Sequence, residues 1–189
     1  MISREENNLL TQTGPGTPCG ELIRRYWQPI ALSEELPLAG APLRVNVLGE
    51  ELVLFRDDHG QPGLLGLHCS HRGTDLSYGR IENGGLRCIY HGWLYDVCGR
   101  VIEQPGEPGG GANRDQIRHR AHPCRERGGV ILTYMGPGEP PLLGFHWTKV
   151  HSATTGEVYV VQGLAGGSFD IVVDGRTVQP AAATKTIVG

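Results

Sequence analysis

The chain has 189 residues and a formal net charge of −3, with 20 acidic and 17 basic side chains interspersed. That length accommodates one domain, or one domain and a small appendage. No basic block marks a nucleic-acid surface, no apolar run is long enough to cross a bilayer, and the N-terminus lacks the apolar core of a secretory signal, so a cytoplasmic protein without nucleic-acid or membrane partners is expected.

Residues 1–16 read as extended or weakly helical, ending at Gly14-Pro15-Gly16. Thr17-Pro18 then opens a helix. A threonine hydroxyl caps a free amide, and proline at the first helical position has no amide to leave unpaired. Leu22, Ile23, Tyr26 and Trp27 have helical spacing, which predicts a helix to about Tyr26 with both aromatics packed on the core.

From Pro29 the pattern turns to strands. Residues 43–48 and 52–56 flank Gly49-Glu50 and read as a hairpin. Residues 57–60 are a polar turn with His59 in solvent, and 63–67 form the next strand. Short strands follow at 80–81, 86–87, 94–95 and 99–102. Residues 105–113 hold four Gly and two Pro and read as a loop. Residues 118–124 and 129–134 read as a final strand pair, with His119 and His122 on opposite faces in structural or solvated positions. Short strands at this regular spacing predict an all-β protein: an antiparallel sandwich or barrel, a small subdomain at one tip, and a short N-terminal helix.

The chemistry is concentrated between Leu67 and Asp96. Cys69-Ser70-His71 forms one short loop and Cys88-Ile89-Tyr90-His91 another, with sixteen residues between them. Each supplies one thiolate and one imidazole. That set suits a [2Fe–2S] centre in which two Cys hold one iron and two His hold the other. Four thiolates would leave the oxidised centre doubly negative, whereas two thiolates and two neutral imidazoles leave it neutral. A less negative centre accepts an electron more readily, so His ligation raises the potential. Gly73 and Gly92 follow the ligands and permit tight turns that bring backbone N–H groups toward sulfur. A zinc knuckle usually draws two Cys from one loop and two His from the other. The mixing here favours iron, with zinc as an alternative that would leave the protein colourless. His68 precedes Cys69, but the C-x-H spacing selects His71. Cys19, Cys98 and Cys124 read as small buried or free thiols.

The run C-x-H-R-G-x-x-L-S-x-G followed by G-L-R-C-x-Y-H-G-W-x-Y-D resembles the Rieske motif of ring-hydroxylating oxygenase large subunits. Residues 4–37 resemble the N-terminus of the phthalate 4,5-dioxygenase type, and the likeness extends to about Leu143. It implies a Rieske-type fold and a Rieske [2Fe–2S] cofactor held by Cys69, His71, Cys88 and His91. It also implies a flavin or iron–sulfur reductase as electron donor, and contact of the N-terminal arm with a neighbouring subunit in a homo-oligomer. Rieske proteins of respiratory complexes carry an extra Cys in each loop and a hydroxyl residue after His-Gly. This chain has no such Cys and has Trp93 after His91-Gly92. Fewer polar donors near sulfur imply a potential toward the lower end of the range of about −150 to +300 mV.

The expected organisation is an arm at 1–42, the Rieske domain at 43–143 and an unassigned tail at 144–189. Family members bind a mononuclear Fe(II) through two His and one carboxylate. The corresponding positions here are Leu143, His146 and His151, without the acid, so catalytic residues are not expected in this chain. The forty-six residues after Leu143 are too few for a second domain of ordinary size. Residues 157–162 and 168–176, with a turn at Asp174-Gly175, read as a hairpin. Two functions follow. The chain is the electron-carrying part of a ring-hydroxylating oxygenase, with mononuclear Fe(II) only in a full-length relative, or it is a self-contained Rieske-type ferredoxin.

Overall fold

The computed structural model describes residues 2–141 and 143, and beyond them the backbone of four strands between 147 and 178. Two compact units, Met1–Pro140 and Pro141–Gly189, divide the chain.

Local signals set the N-terminal segment. Ser3 caps α1 (Arg4–Thr11): its hydroxyl accepts from the Glu6 amide while the Glu6 carboxylate accepts from the Ser3 amide. This reciprocal pair makes a defined helix where composition suggested only a weak one. None of its residues is buried. Thr17 caps α2 (Pro18–Ile23) as expected, its hydroxyl accepting from Gly20 N at 3.2 Å. The helix stops at Ile23 rather than Tyr26, where Gln28 Nε2 donates to the Ile23 and Tyr26 carbonyls. Tyr26 consequently faces solvent at 63% exposure, contrary to the core position expected for it. Trp27 is half-buried, 6.0 Å from the Tyr134 ring.

In the first unit the described strands form three antiparallel sheets. The middle one contains β2 (Leu43–Val47), β3 (Glu50–Arg56), β4 (Pro62–Gly66) and, from much later in the chain, β9 (Ala121–His122). The β2–β3 hairpin forms as its sequence predicts, but its two turn residues are Leu48 and Gly49, with φ of 50° and 78°. Both positions left-handed is the twist that suits a two-residue hairpin.

β3 is apolar on both sides, and this makes the sheet a middle layer. Val53 and Phe55 join Leu65 in one buried cluster with Leu67, Leu76, Leu86, Tyr95 and Val101. Leu52 and Leu54 join Leu64 in another with Leu36, Ile131 and Met135. Alternate residues of one strand thereby serve two cores. The first core adjoins a small sheet of β5 (Arg80–Glu82), β6 (Gly85–Arg87), β7 (Leu94–Tyr95) and β8 (Val101–Glu103). The second adjoins a sheet in which β1 (Gln28–Leu32) and β10 (Cys124–Arg127) flank β11 (Val130–Thr133).

The expected pairing of 118–124 with 129–134 needs correction. Pro123 lacks an amide for the ladder and splits that run. On one side β9 pairs with β4, and on the other β10 pairs with β11. β1 also pairs with β11, which ties the N-terminal segment to the last strand of this unit. An ion group at the buried Glu50 reinforces the tie: its carboxylate accepts from Arg24, after α2, and forms an ion pair with the half-exposed Arg120, before β9. Removing one member of such a group would leave a buried charge uncompensated.

In the second unit, β12 (Trp147–His151), β13 (Val158–Gly163), β14 (Phe169–Val173) and β15 (Arg176–Val178) form an antiparallel meander. The expected hairpin corresponds to β13 and β14, with Arg176 in a separate strand. Its turn at Asp174-Gly175, and His146, lie outside the described residues. No helix among the described residues is long and apolar enough to cross a membrane.

Candidate metal centre

The two candidate ligand loops leave neighbouring parts of the frame. The first follows β4, and the second links β6 to β7. They are built alike. Cys69 N donates to Thr74 O at 2.9 Å, and Gly73 N donates to Cys69 O at 2.8 Å. Cys88 N donates to Trp93 O at 2.9 Å, and Gly92 N donates to Cys88 O at 3.1 Å. In each loop the cysteine starts a turn closed by the glycine four residues later. Gly73 and Gly92 have φ of 71° and 75°, a conformation that costs glycine little and other residues more. One side chain in the first loop and two in the second separate Cys from His.

The matched turns bring like donors together. Cys69 and Cys88 are 4% and 3% exposed and belong to the same apolar cluster. Burial raises the Cys69 thiol pKa, and nearby Cys88 adds to this effect. A bound cation reverses that balance by stabilising the thiolate. The His71 and His91 rings lie 4.5 Å apart, centroid to centroid, edge to face. The His91 pKa is lowered by desolvation first and then by His71 and Arg72. Sulfur donors are thus buried and paired, while nitrogen donors are paired at a half-buried edge.

Trp93 follows the second loop and is 6% exposed. Its indole stacks on His71 at 4.8 Å with an interplanar angle of 1°. His71 Nδ1 and Trp93 Nε1 are buried without hydrogen-bond partners among the described protein atoms. A buried imidazole nitrogen without a partner is expensive unless something binds it. A metal taking Nδ1 as ligand would satisfy it, and the other nitrogen, Nε2, faces Glu107 Oε1 at 3.9 Å. No three His, Cys, Asp or Glu among the described residues form a group able to hold one metal ion. The donors instead come as two pairs, the number that each iron of a [2Fe–2S] centre requires. The residues present fit such a centre.

Several contacts around these loops escaped sequence reasoning. Tyr95 is fully buried and its hydroxyl lies 3.0 Å from Cys69 Sγ. Burial raises its pKa strongly, so the hydroxyl keeps its proton and can donate to a thiolate. Arg87, directly before Cys88, donates to Gly92 O at 2.6 Å and to Glu103 at 2.6 Å, and pairs with Glu82. It braces the second loop against β5 and β8. His119 is 5% exposed, with a ring nitrogen 2.7 Å from Ser70 Oγ. The Tyr-Asp pair closing the second motif was a visible signal for Tyr95. His119, 49 residues from Ser70, gave none.

The remaining candidates lie elsewhere. His68 is exposed, with Nδ1 3.2 Å from Gly73 O. His59 and Cys98 are also exposed. Cys124 is a partly buried free thiol whose pKa burial pushes up to about 12.

A mostly antiparallel β frame presenting paired thiols and imidazoles from two like turns defines an iron–sulfur class of protein. Comparison with known proteins gives the family. Residues 26–126 match the Rieske [2Fe-2S] domain, and the chain belongs to that family. It is 52% identical over 130 residues to phenoxybenzoate dioxygenase subunit alpha of Ectopseudomonas oleovorans, covering 69% of this chain and 31% of that protein. It is 44% identical over 138 residues to the phthalate 4,5-dioxygenase oxygenase subunit of Pseudomonas putida, covering 72% and 31%. Among solved structures, dicamba monooxygenase with non-heme iron and dicamba aligns at 34% identity and a TM-score of 0.54, covering 62% of this chain and 35% of that one. The terminal oxygenase of carbazole 1,9a-dioxygenase from Novosphingobium sp. KA1 aligns at 28% identity and a TM-score of 0.57, covering 75% and 37%. The chain spans about a third of the length of these curated relatives.

Proposed function

We propose that Cys69, His71, Cys88 and His91 hold a Rieske [2Fe–2S] centre. Through it the chain passes single electrons from a flavin or iron–sulfur reductase toward the mononuclear iron of an aromatic ring-hydroxylating oxygenase. The observation that supports this most is the pairing produced by the two matched turns: thiol with thiol in the core, imidazole with imidazole at the edge. When bound, the centre takes up and releases one electron at a potential raised by its two imidazoles.

The chain's own residues divide the remaining work. With Cys69 a thiolate ligand, the Tyr95 hydroxyl 3.0 Å away is the donor to Sγ, which favours the more negative, reduced state. Trp93 excludes water from one side of His71. His71 and His91 form the half-buried edge through which an electron would pass, flanked by exposed Arg72, Ile89 and Tyr90. On this reading residues 43–143 form the electron-carrying part, 1–42 its arm, and 144–189 are without an assigned role.

The test is reductive titration of the anaerobically purified full chain with NADH and such a reductase, followed by EPR. A one-electron signal that appears on reduction and decays when an oxygenase acceptor is added supports the proposal. A second reading is a self-contained electron carrier. It is favoured by the sequence, which has Leu143 rather than an acid three positions before His146. Oxygen consumption with an aromatic substrate and reductase argues for the first reading, and electron delivery to an added acceptor without it argues for the second.

A further inference from the structure

We propose that His119 is a positioning residue for the first ligand loop, acting on Cys69 through both Ser70 and Tyr95. The proposal rests on the reading of Cys69 and His71 as ligands of the centre.

The hydrogen bonds fix the state of His119. Its Nε2 lies 2.8 Å from Gly66 O, and a carbonyl can only accept. Nε2 therefore carries the proton. Nδ1 is then an acceptor, and the Ser70 hydroxyl, 2.7 Å away, donates to it. Burial lowers the His119 pKa and so favours this neutral form. One ring thus joins the end of β4 to the residue between Cys69 and His71.

The same ring lies 4.6 Å from that of Tyr95, centroid to centroid. Tyr95 in turn places its hydroxyl 3.0 Å from Cys69 Sγ. His119 therefore reaches Cys69 by two routes, one through the turn that holds Ser70 and one through the aromatic ring that supports the sulfur hydrogen bond.

The backbone prevents His119 from drifting. His119 N donates to Gly99 O at 2.8 Å. A Cβ at Gly99 would come within 2.2 Å of His119 O, and φ there is 75°. The two backbones therefore meet at a distance only glycine allows. On the other side Gly66 N donates to Arg120 O at 2.9 Å. A side chain held this firmly by a strand end and a glycine turn can impose its geometry on a surface loop.

The experiment uses the full chain with His119→Phe, Ser70→Ala, Tyr95→Phe and the double variant of positions 95 and 119. His119→Phe keeps a ring of similar volume and deletes both hydrogen bonds. Iron and sulfide content, EPR g values and midpoint potential are read for each. The expected result is a lower midpoint potential for His119→Phe, in the same direction as for Tyr95→Phe, with the double variant falling short of the sum of the two shifts. Ser70→Ala, at an exposed position, is expected to shift the g values even if His119→Phe fails to fold.

A cluster-loaded His119→Phe with wild-type potential and g values overturns the proposal, as does an unchanged Ser70→Ala. Full additivity of the two shifts overturns the route through Tyr95. A wild-type chain without iron overturns the reading of the centre itself, which is distinguishable from loaded but unaltered variants.

Discussion

The Tyr95 hydroxyl lies 3.0 Å from Cys69 Sγ, inside a core where neither atom meets bulk water. A hydrogen bond to a sulfur ligand is worth more as negative charge accumulates on the centre. Tyr95→Phe removes that bond without changing the packing volume. If the bond favours the reduced state by about 1.4 kcal/mol, the midpoint potential falls by about 60 mV. Protein-film or EPR-monitored redox titration measures it. An unchanged potential would mean that Tyr95 is only a packing residue.

Trp93 combines packing with shielding. Truncation of a buried aromatic usually costs about 3–5 kcal/mol, and Trp93→Ala also uncovers the face of His71. The reduced centre carries one more negative charge than the oxidised one, and water stabilises the charged state. Trp93→Ala is therefore expected to unfold at lower urea concentration and, where it retains the cluster, to have a higher potential. Denaturation and redox titration of the same sample check both.

Arg87 ties the second loop down. It contacts Gly92 O, Glu82 and Glu103, and its own side chain is 10% exposed. Both carboxylates are more than a third exposed, which moderates the loss relative to a fully buried pair. Arg87→Met is expected to cost about 2 kcal/mol and to speed loss of iron to a chelator. Urea denaturation and the rate of bleaching with a ferrous chelator give the two quantities.

Acid sensitivity follows from the two histidines of the β9 region. Burial pushes the pKa of His122 down to about 4, with Arg120 and Arg24 adding to the effect, and burial lowers that of His119 as well. In the unfolded chain both titrate near about 6.5. Between these values the unfolded state binds more protons. This stability contribution is therefore complete above about pH 6.5 and declines as pH falls toward about 4. The urea midpoint is expected to fall between pH 7 and pH 5, and to fall less for His122→Gln. An equal fall in both proteins would contradict this.

The fold and the candidate ligand loops were legible in the sequence for different reasons. Strand alternation and the turn at 57–60 are local, and so is the Thr17-Pro18 helix start. The spacing of Cys69, His71, Cys88 and His91 is a pattern of short range within each loop. What connects distant segments left no local trace. Pro123 redirects one strand into two sheets, β1 finds β11 across about a hundred residues, and His119 reaches Ser70 only after folding. The Ser3–Glu6 capping box was written in the sequence but concealed by polar composition. Tyr26 shows the opposite error: helical periodicity suggested a buried face, but the helix ended three residues earlier and left the ring in solvent.

The most direct measurement is the iron and acid-labile sulfide content of the full chain purified without oxygen, read alongside its EPR spectrum after reduction. Two irons and two sulfides per chain are expected, with the spectrum of a centre ligated by both sulfur and nitrogen. Both metals are expected to be lost in Cys69→Ser and Cys88→Ser. A wild-type chain that carries neither iron nor sulfide, or one whose iron survives replacement of both cysteines, would contradict the assignment.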